Sequence, residues 1–314
     1  MDLSQRRQTF LHRVALWCAA LVLVITSLSA FIRLSQAGLG CEPWPYCYGQ
    51  VLRATQTVDA PSMGDRAPVQ VARLAHRVIA TVVLLGVILM VVACFASRPL
   101  LAREGTLALA VLVLALGLAV LGRWTAGARV PAVAMGNLLG GVLMFALCCK
   151  LAAPPAPTGA RNAPALRGWA AAGAALLLCQ LALGALTSAS YAGLSCSGVI
   201  DCLQSAAAGG WQWQMLDPWR VPAFDAGPIP VNGGAALTQL VHRIGALLVL
   251  LALGPLAVLA LRGARRRDGL VLLLLLALQL VVGVVMVASG LALPLALAHN
   301  VIAALMMAVV FRMI

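Results

Sequence analysis

Eight separate stretches of about 20 apolar residues recur along this chain of 314 residues, and no other feature constrains its fold as strongly. A helix rises 1.5 Å per residue, so such a stretch matches the ~30 Å hydrocarbon core of a bilayer. Within that core every backbone N–H and C=O must be paired, which only helices and closed barrels achieve. Aromatic residues make up 5% of the chain while Ala and Leu dominate, which favours helices over a barrel. The predicted spans lie at about 14–34, 70–96, 105–122, 131–151, 166–188, 235–260, 269–288 and 294–313. With 62% apolar and 10% charged residues, one water-soluble core cannot hide the apolar surface. A soluble enzyme, a disordered chain and a secreted disulfide scaffold are excluded on that ground. The expected class is all-α: a polytopic membrane protein of eight transmembrane helices, arranged as two pseudo-symmetric four-helix halves. Arg6, Arg7 and Arg13 precede the first span as in a signal peptide. Its apolar run of about 19 residues is longer than a signal core, and it reads as a retained helix.

The formal charge of +13 comes from 22 Lys and Arg against 9 Asp and Glu. These cations sit between the spans, so they read as topology and not as a nucleic-acid surface. With the N-terminus in the cytoplasm, thirteen of the 22 fall on the inner side, most densely at Arg262–Arg267. An even number of spans then puts both termini in the cytoplasm, in a bacterial-type inner (plasma) membrane. Lipid is the surrounding partner. The long loops, about 35–69 and 189–234, fall outside. A Pro-rich stretch divides the chain into an N-terminal half (1–151), a cytoplasmic linker (152–165) and a C-terminal half (166–314).

The halves share three motifs in the same order. Arg33–Tyr48 (RLSQAGLGCEPWPYCY) and Thr187–Cys202 (TSASYAGLSCSGVIDC) both carry Ala-Gly-Leu and then Cys-x5-Cys. Val71–Leu84 and Leu237–Leu250 both carry His-Arg before an apolar run. Val130–Met144 and Leu293–Met307 both open on Pro. Four spans separate the copies, so both have the same orientation, related by an axis along the membrane normal.

Of the four histidines, His12 belongs to the basic leading segment, while His76, His242 and His299 lie inside apolar spans. Ionisable groups there mark functional sites by default, although a packing role is the plain alternative. His242 and His299 fall at one depth, roughly 8–10 Å below the outer edge, and His76 at a similar depth. Two imidazoles at one depth on neighbouring helices suit the two faces of an iron porphyrin. Zinc would need three or four ligands, and no carboxylate or thiol shares the depth. Arg77 and Arg243 each follow a histidine; they either snorkel to headgroups or pair with haem propionates. Cys41/Cys47 and Cys196/Cys202 occupy matching places in the outer loops, and two intraloop disulfides are the simplest pairing. A loop staple is the first reading of these pairs, and redox exchange at Cys41/Cys47 the second.

This pattern resembles the heme A synthase family, membrane enzymes that convert heme O to heme A for cytochrome oxidase. The resemblance covers about residues 14–314. It rests on RLSQAGLGCEPWPYC, His76–Arg77, Asn137–Gly141 (NLLGG), His242–Arg243 and His299. It implies a resident heme b between His242 and His299, and heme O as substrate in the N-terminal half at His76. Two places depart from the family pattern. Asn137 stands where the family has a span-4 His, and Arg73 where it has a Glu three residues before the span-2 His. The resemblance therefore implies iron ligands His242, His299 and His76, with His76 the catalytic position. Arg243, Arg77, Asn137 and Arg73 complete the cofactor-binding set. The expected function is a heme A synthase-like oxidoreductase that takes a porphyrin methyl to formyl. Heme O synthase or cytochrome oxidase assembly proteins are the expected partners. The alternative is a non-catalytic haem-binding membrane protein, such as a cytochrome, a haem carrier or an assembly factor.

Overall fold

The computed structural model describes residues 3–36, 63–124, 130–154, 164–222 and 232–314, and among these there is no strand. Among the described residues eight helices are long and apolar enough to cross a membrane. They are α1 (Leu3–Gln36), α2 (Met63–Phe95), α3 (Ala102–Trp124), α4 (Pro131–Ala152), α5 (Pro164–Ala189), α7 (Ala236–Arg262), α8 (Arg266–Ala288) and α9 (Leu293–Met313). The ninth, α6 (Val199–Ala208), is short and lies between α5 and α7. The protein is thus a multi-pass membrane protein.

Three elements differ from the sequence reading. Helix α1 starts about ten residues early, because the basic segment continues the helix and Arg7 has a use there. Its guanidinium donates to the carbonyls of Ala93, Cys94, Ser97 and Pro99 at 2.7–3.3 Å, closing the end of α2. Those carbonyls have no intrahelical donor, and a planar five-donor fork reaches several at once. Helix α2 starts at Met63, within the expected 35–69 loop, and carries Pro68 in its opening turns. The expected 189–234 loop contains α6, which Gly198 precedes and which has Asp201 in its first turn.

The packing order gives the architecture. Helices α1, α2, α3 and α4 each pack on the next, and α4 closes on α1. Helices α5, α7, α8 and α9 form the same closed ring. The rings meet through α4 on α9, α4 on α5, and α1 on α9. That joint is what a two-fold relation demands, since α4 corresponds to α9 and α1 to α5. At its long-loop end Arg33 donates to Ser188 Oγ. Each of these residues stands four places before its own Ala-Gly-Leu, so equivalent positions of the two halves meet.

Lipid is as apolar as Leu, so helices associate here by close packing and not by escape from water. Small residues make that approach possible. A Cβ on Gly86 would sit 2.7 Å from Cys18 Sγ, and one on Gly173 2.6 Å from Leu253 Cδ2. The outward sides keep Leu16, Val113, Leu251, Leu274 and Val284 exposed, as lipid-facing surfaces should. A loop contact crosses between halves: Ala132 at the start of α4 donates its N–H to Pro218 O at 2.8 Å.

Candidate functional site in the second helix ring

His242 lies six residues into α7 and His299 six into α9, about 9 Å of rise from the long-loop end of each helix. The sequence reading put them on neighbouring helices. In the ring α5–α7–α8–α9, α7 and α9 stand on a diagonal, with α5 and α8 between them. A diagonal pair faces a common interior, which adjacent helices do less directly.

The intervening helices each contribute an amide and a notch. From α5, Gln180 Nε2 donates to His242 O at 2.9 Å and lies 3.1 Å from His242 Nδ1. One turn on, Gly184 leaves room for the ring: a Cβ there would be 3.0 Å from His242 Cε1. From α8, Gln279 Nε2 lies 3.1 Å from His299 Nε2. One turn on, a Cβ at Gly283 would be 3.2 Å from His299 Cε1. Gly245 on α7 makes space for Gln180, since a Cβ at that glycine would collide with Gln180 Oε1.

Sequence reasoning missed this second layer. The signal was present as Gln180-x3-Gly184 and Gln279-x3-Gly283, two amides inside apolar spans, each with a glycine on the same helix face. Four buried polar atoms lack a partner among the described residues: Gln180 Oε1, Gln239 Oε1, Gln279 Oε1 and His299 Nδ1. Three of them belong to this layer. Buried polar atoms left unpaired are uncommon and call for a missing partner. No group of three or more His, Cys, Asp or Glu converges among the described residues. Two imidazoles across an apolar interior suit a planar complex whose equatorial ligands are its own, as in haem, better than a bare ion.

Arg243 is differently engaged from the propionate partner that the sequence suggested. Its guanidinium donates to Cys202 Sγ and to Cys196 O, both at 3.2 Å. The Cys196 and Cys202 sulfurs are in contact, with Cα atoms 5.0 Å apart. Beside them Ser197 donates its N–H and hydroxyl to Asp201 Oδ2 at 2.7 and 2.8 Å. These two bonds hold the Asp201 carboxyl below the ordinary carboxylate value.

The first ring is sparser. His76 on α2 and Asn137 on α4 again lie on helices that stand on a diagonal, and both are half-buried. Asn137 is six residues into α4, the count at which α9 carries His299. Arg73 and Arg77 are exposed on α2. A wide apolar groove of about 650 Å³ runs between α3 and α4, lined in part by Gly117, Leu121, Gly136 and Gly140. Cys41 and Cys47, and most of the Pro-rich linker, lie outside the described residues.

Two comparisons with known proteins bear on this arrangement. A family model described as cytochrome oxidase assembly protein matches residues 12–311. A heme A synthase of Shewanella oneidensis is 30% identical over 322 residues, covering 95% of this chain and 93% of that protein. With nearly every residue of both rings inside these matches, the chain belongs to the cytochrome oxidase assembly protein family.

Proposed function

We propose that this protein is an oxidoreductase that converts heme O to heme A, taking one porphyrin methyl to formyl for cytochrome oxidase assembly. The observation that carries the reading is the second ring: His242 and His299 face one interior from diagonal helices, each in a glycine notch, among buried polar atoms without partners. Membership of the family and a full-length heme A synthase relative support the same reading.

In this reading residues 166–314 hold a resident heme b, with His242 and His299 as its iron ligands. Residues 1–151 receive heme O at His76, and 152–165 link the halves. Redox chemistry is supplied by haem iron when bound. The chain's own residues ligate, orient and exclude water. Arg77 is exposed and has a free choice of propionate. Arg243 can serve a propionate only by giving up part of its hold on the Cys196–Cys202 loop. We take that cysteine contact as a disulfide, with Cys41–Cys47 as its counterpart. The long loops lie outside a bacterial-type inner membrane, and both termini lie in the cytoplasm.

A second reading, a haem-binding protein without this chemistry, is favoured by Arg73 and Asn137, because the first ring offers one imidazole where the second offers two. Extraction and chromatography of haems from the purified protein separates the two. Heme A, or a hydroxylated intermediate, accompanying heme b is expected. Heme b alone, even after heme O is supplied, would replace the first reading with the second. Loss of low-spin haem in His242→Ala and in His299→Ala is expected, and an unchanged spectrum in both would overturn the resident site.

A further inference from the structure

Gln180 and Gln279 have no part in the function proposed above, yet they are the polar groups nearest its histidines. We propose that they are positioning residues for the haem ligands, Gln180 fixing the ring of His242 and Gln279 that of His299. This inference rests on the reading that a haem sits between those histidines.

A carboxamide offers a donor end and an acceptor end. The donor end of Gln180 is committed, because Nε2 donates to the backbone carbonyl of His242 at 2.9 Å. Turning the amide over would place two oxygens against each other. The same Nε2 lies 3.1 Å from Nδ1, so without iron that nitrogen is the acceptor and the imidazole proton sits on Nε2. The acceptor end, Oε1, is buried and unpartnered, in space that exists because residue 245 has no side chain.

An imidazole that gives its Nε2 lone pair to iron carries its proton on Nδ1. That proton is the donor that Gln180 Oε1 lacks. With Nε2 kept on the carbonyl and Oε1 taking the Nδ1 proton, one amide holds backbone and ring of the same residue. The shortage on the other side matches. Gln279 Oε1 and His299 Nδ1 are both buried without partners, while Gln279 occupies Nε2 at 3.1 Å. Ligation through Nε2 displaces Gln279 from that atom and creates an Nδ1–H in need of an acceptor, which Gln279 Oε1 is.

The first ring provides the contrast. In the shared Ala-Gly-Leu register, Ile25 and Ser29 stand at the places of Gln180 and Gly184. The amide grip is therefore a property of the half assigned the resident haem, not of the half assigned a haem that passes through.

A purely structural role, in which Gln180 only ties α5 to α7, makes different predictions. The test uses the full-length protein in detergent and reads three quantities: haem release to apomyoglobin, the low-spin resonance signal and the midpoint potential. Gln180→Leu should speed release about 10–100-fold, the usual cost of losing an outer-shell partner of a metal-bound histidine, and raise the potential. Gln279→Leu should do the same. Gln279→Glu keeps the size and supplies a stronger acceptor without setting an oxygen against a backbone carbonyl, so it should lower the potential below that of the unmodified protein. If Gln180→Leu does not fold, Gly245→Ala crowds Oε1 without removing a hydrogen-bonding group, and should shift the signal and potential as Leu would. Glutamine variants that are less heat-stable but keep the release rate, signal and potential would overturn the inference. If His242→Ala and His299→Ala both retain the haem signal, it is the resident-haem reading that fails, whatever the glutamines do.

Discussion

At the residue scale, exposed and intramembrane polar groups follow different rules. Asp201 is partly exposed, so solvent screens it, and its two bonds from Ser197 act locally to order the start of α6. Because its folded carboxyl titrates below the ordinary value, its contribution is complete above the unfolded carboxylate range. That contribution is lost only as pH falls through the lowered value. Protection of the Ser197 amide from hydrogen exchange, corrected for intrinsic rates, should thus stay flat from neutral pH to about 4 and fall below it. Asp201→Ala should leave that amide unprotected throughout. A decline with its midpoint at the ordinary Asp value of about 3.9 or above would show a carboxyl with no such stabilisation. Inside the membrane no such screening exists, and a Gln or His must find its partners on neighbouring helices. That is why the second ring's glutamines point at its histidines.

At the scale of elements, one side chain ties the start of α1 to the end of α2. Arg7 meets carbonyls of the last turn of α2 and of the following bend, where Cys94 O also accepts the Leu101 N–H. Arg7→Ala should lower stability by about 1–3 kcal/mol, since part-buried charged hydrogen bonds to Ala93 and Cys94 and exposed ones to Ser97 and Pro99 are lost together. Arg7→Lys should recover a minor share, because an ammonium cannot span the same set of acceptors. Thermal unfolding in detergent measures both, and equal midpoints for Arg7→Ala and the unmodified protein would refute the role. Near the termini side Asp268, at the start of α8, receives Arg265 and Arg312 at 3.2 Å each and so ties α8 to the end of α9. Asp268→Ala leaves two cations facing each other. With Arg312 partly exposed, a loss of about 1–3 kcal/mol is expected by the same measurement, below the full cost of opening a buried pair.

For the whole molecule, the joint between the rings matters most. Helices α1, α4, α5 and α9 are each shared between a ring and the joint, so each is packed on several sides. Helices α2, α3, α7 and α8 lie on the outside and face lipid. The wide apolar groove between α3 and α4 belongs to the first ring, while in the second ring glycine notches receive His242 and His299. Orientation is tested with reporters. A fluorescent protein fused after Ile314 should fluoresce, and alkaline phosphatase fused there should be inactive, whereas phosphatase inserted near Trp211 should be active. The opposite pattern would invert the assignment of the long loops to the outside.

The eight spans and their ends, within about three residues except at the start of α1 and in the turns before α2, were legible in the sequence. Their length is dictated by bilayer thickness, and a bilayer leaves the backbone few alternatives. The duplication and the common depth of His242 and His299 were legible too, since depth in a helix follows from counting residues. Which helices would be neighbours was not. These spans are apolar nearly all round, so no stripe of polarity indicates which side turns inward. Small residues, met by particular partners across the ring, decide that instead. Only the folded rings set His242 and His299 on a diagonal and brought Gln180 and Gln279 to them from the helices on either side, 62 and 20 residues away in the chain. They also turned Arg243 toward the Cys196–Cys202 loop, because contacts between helices depend on packing that no single helix encodes.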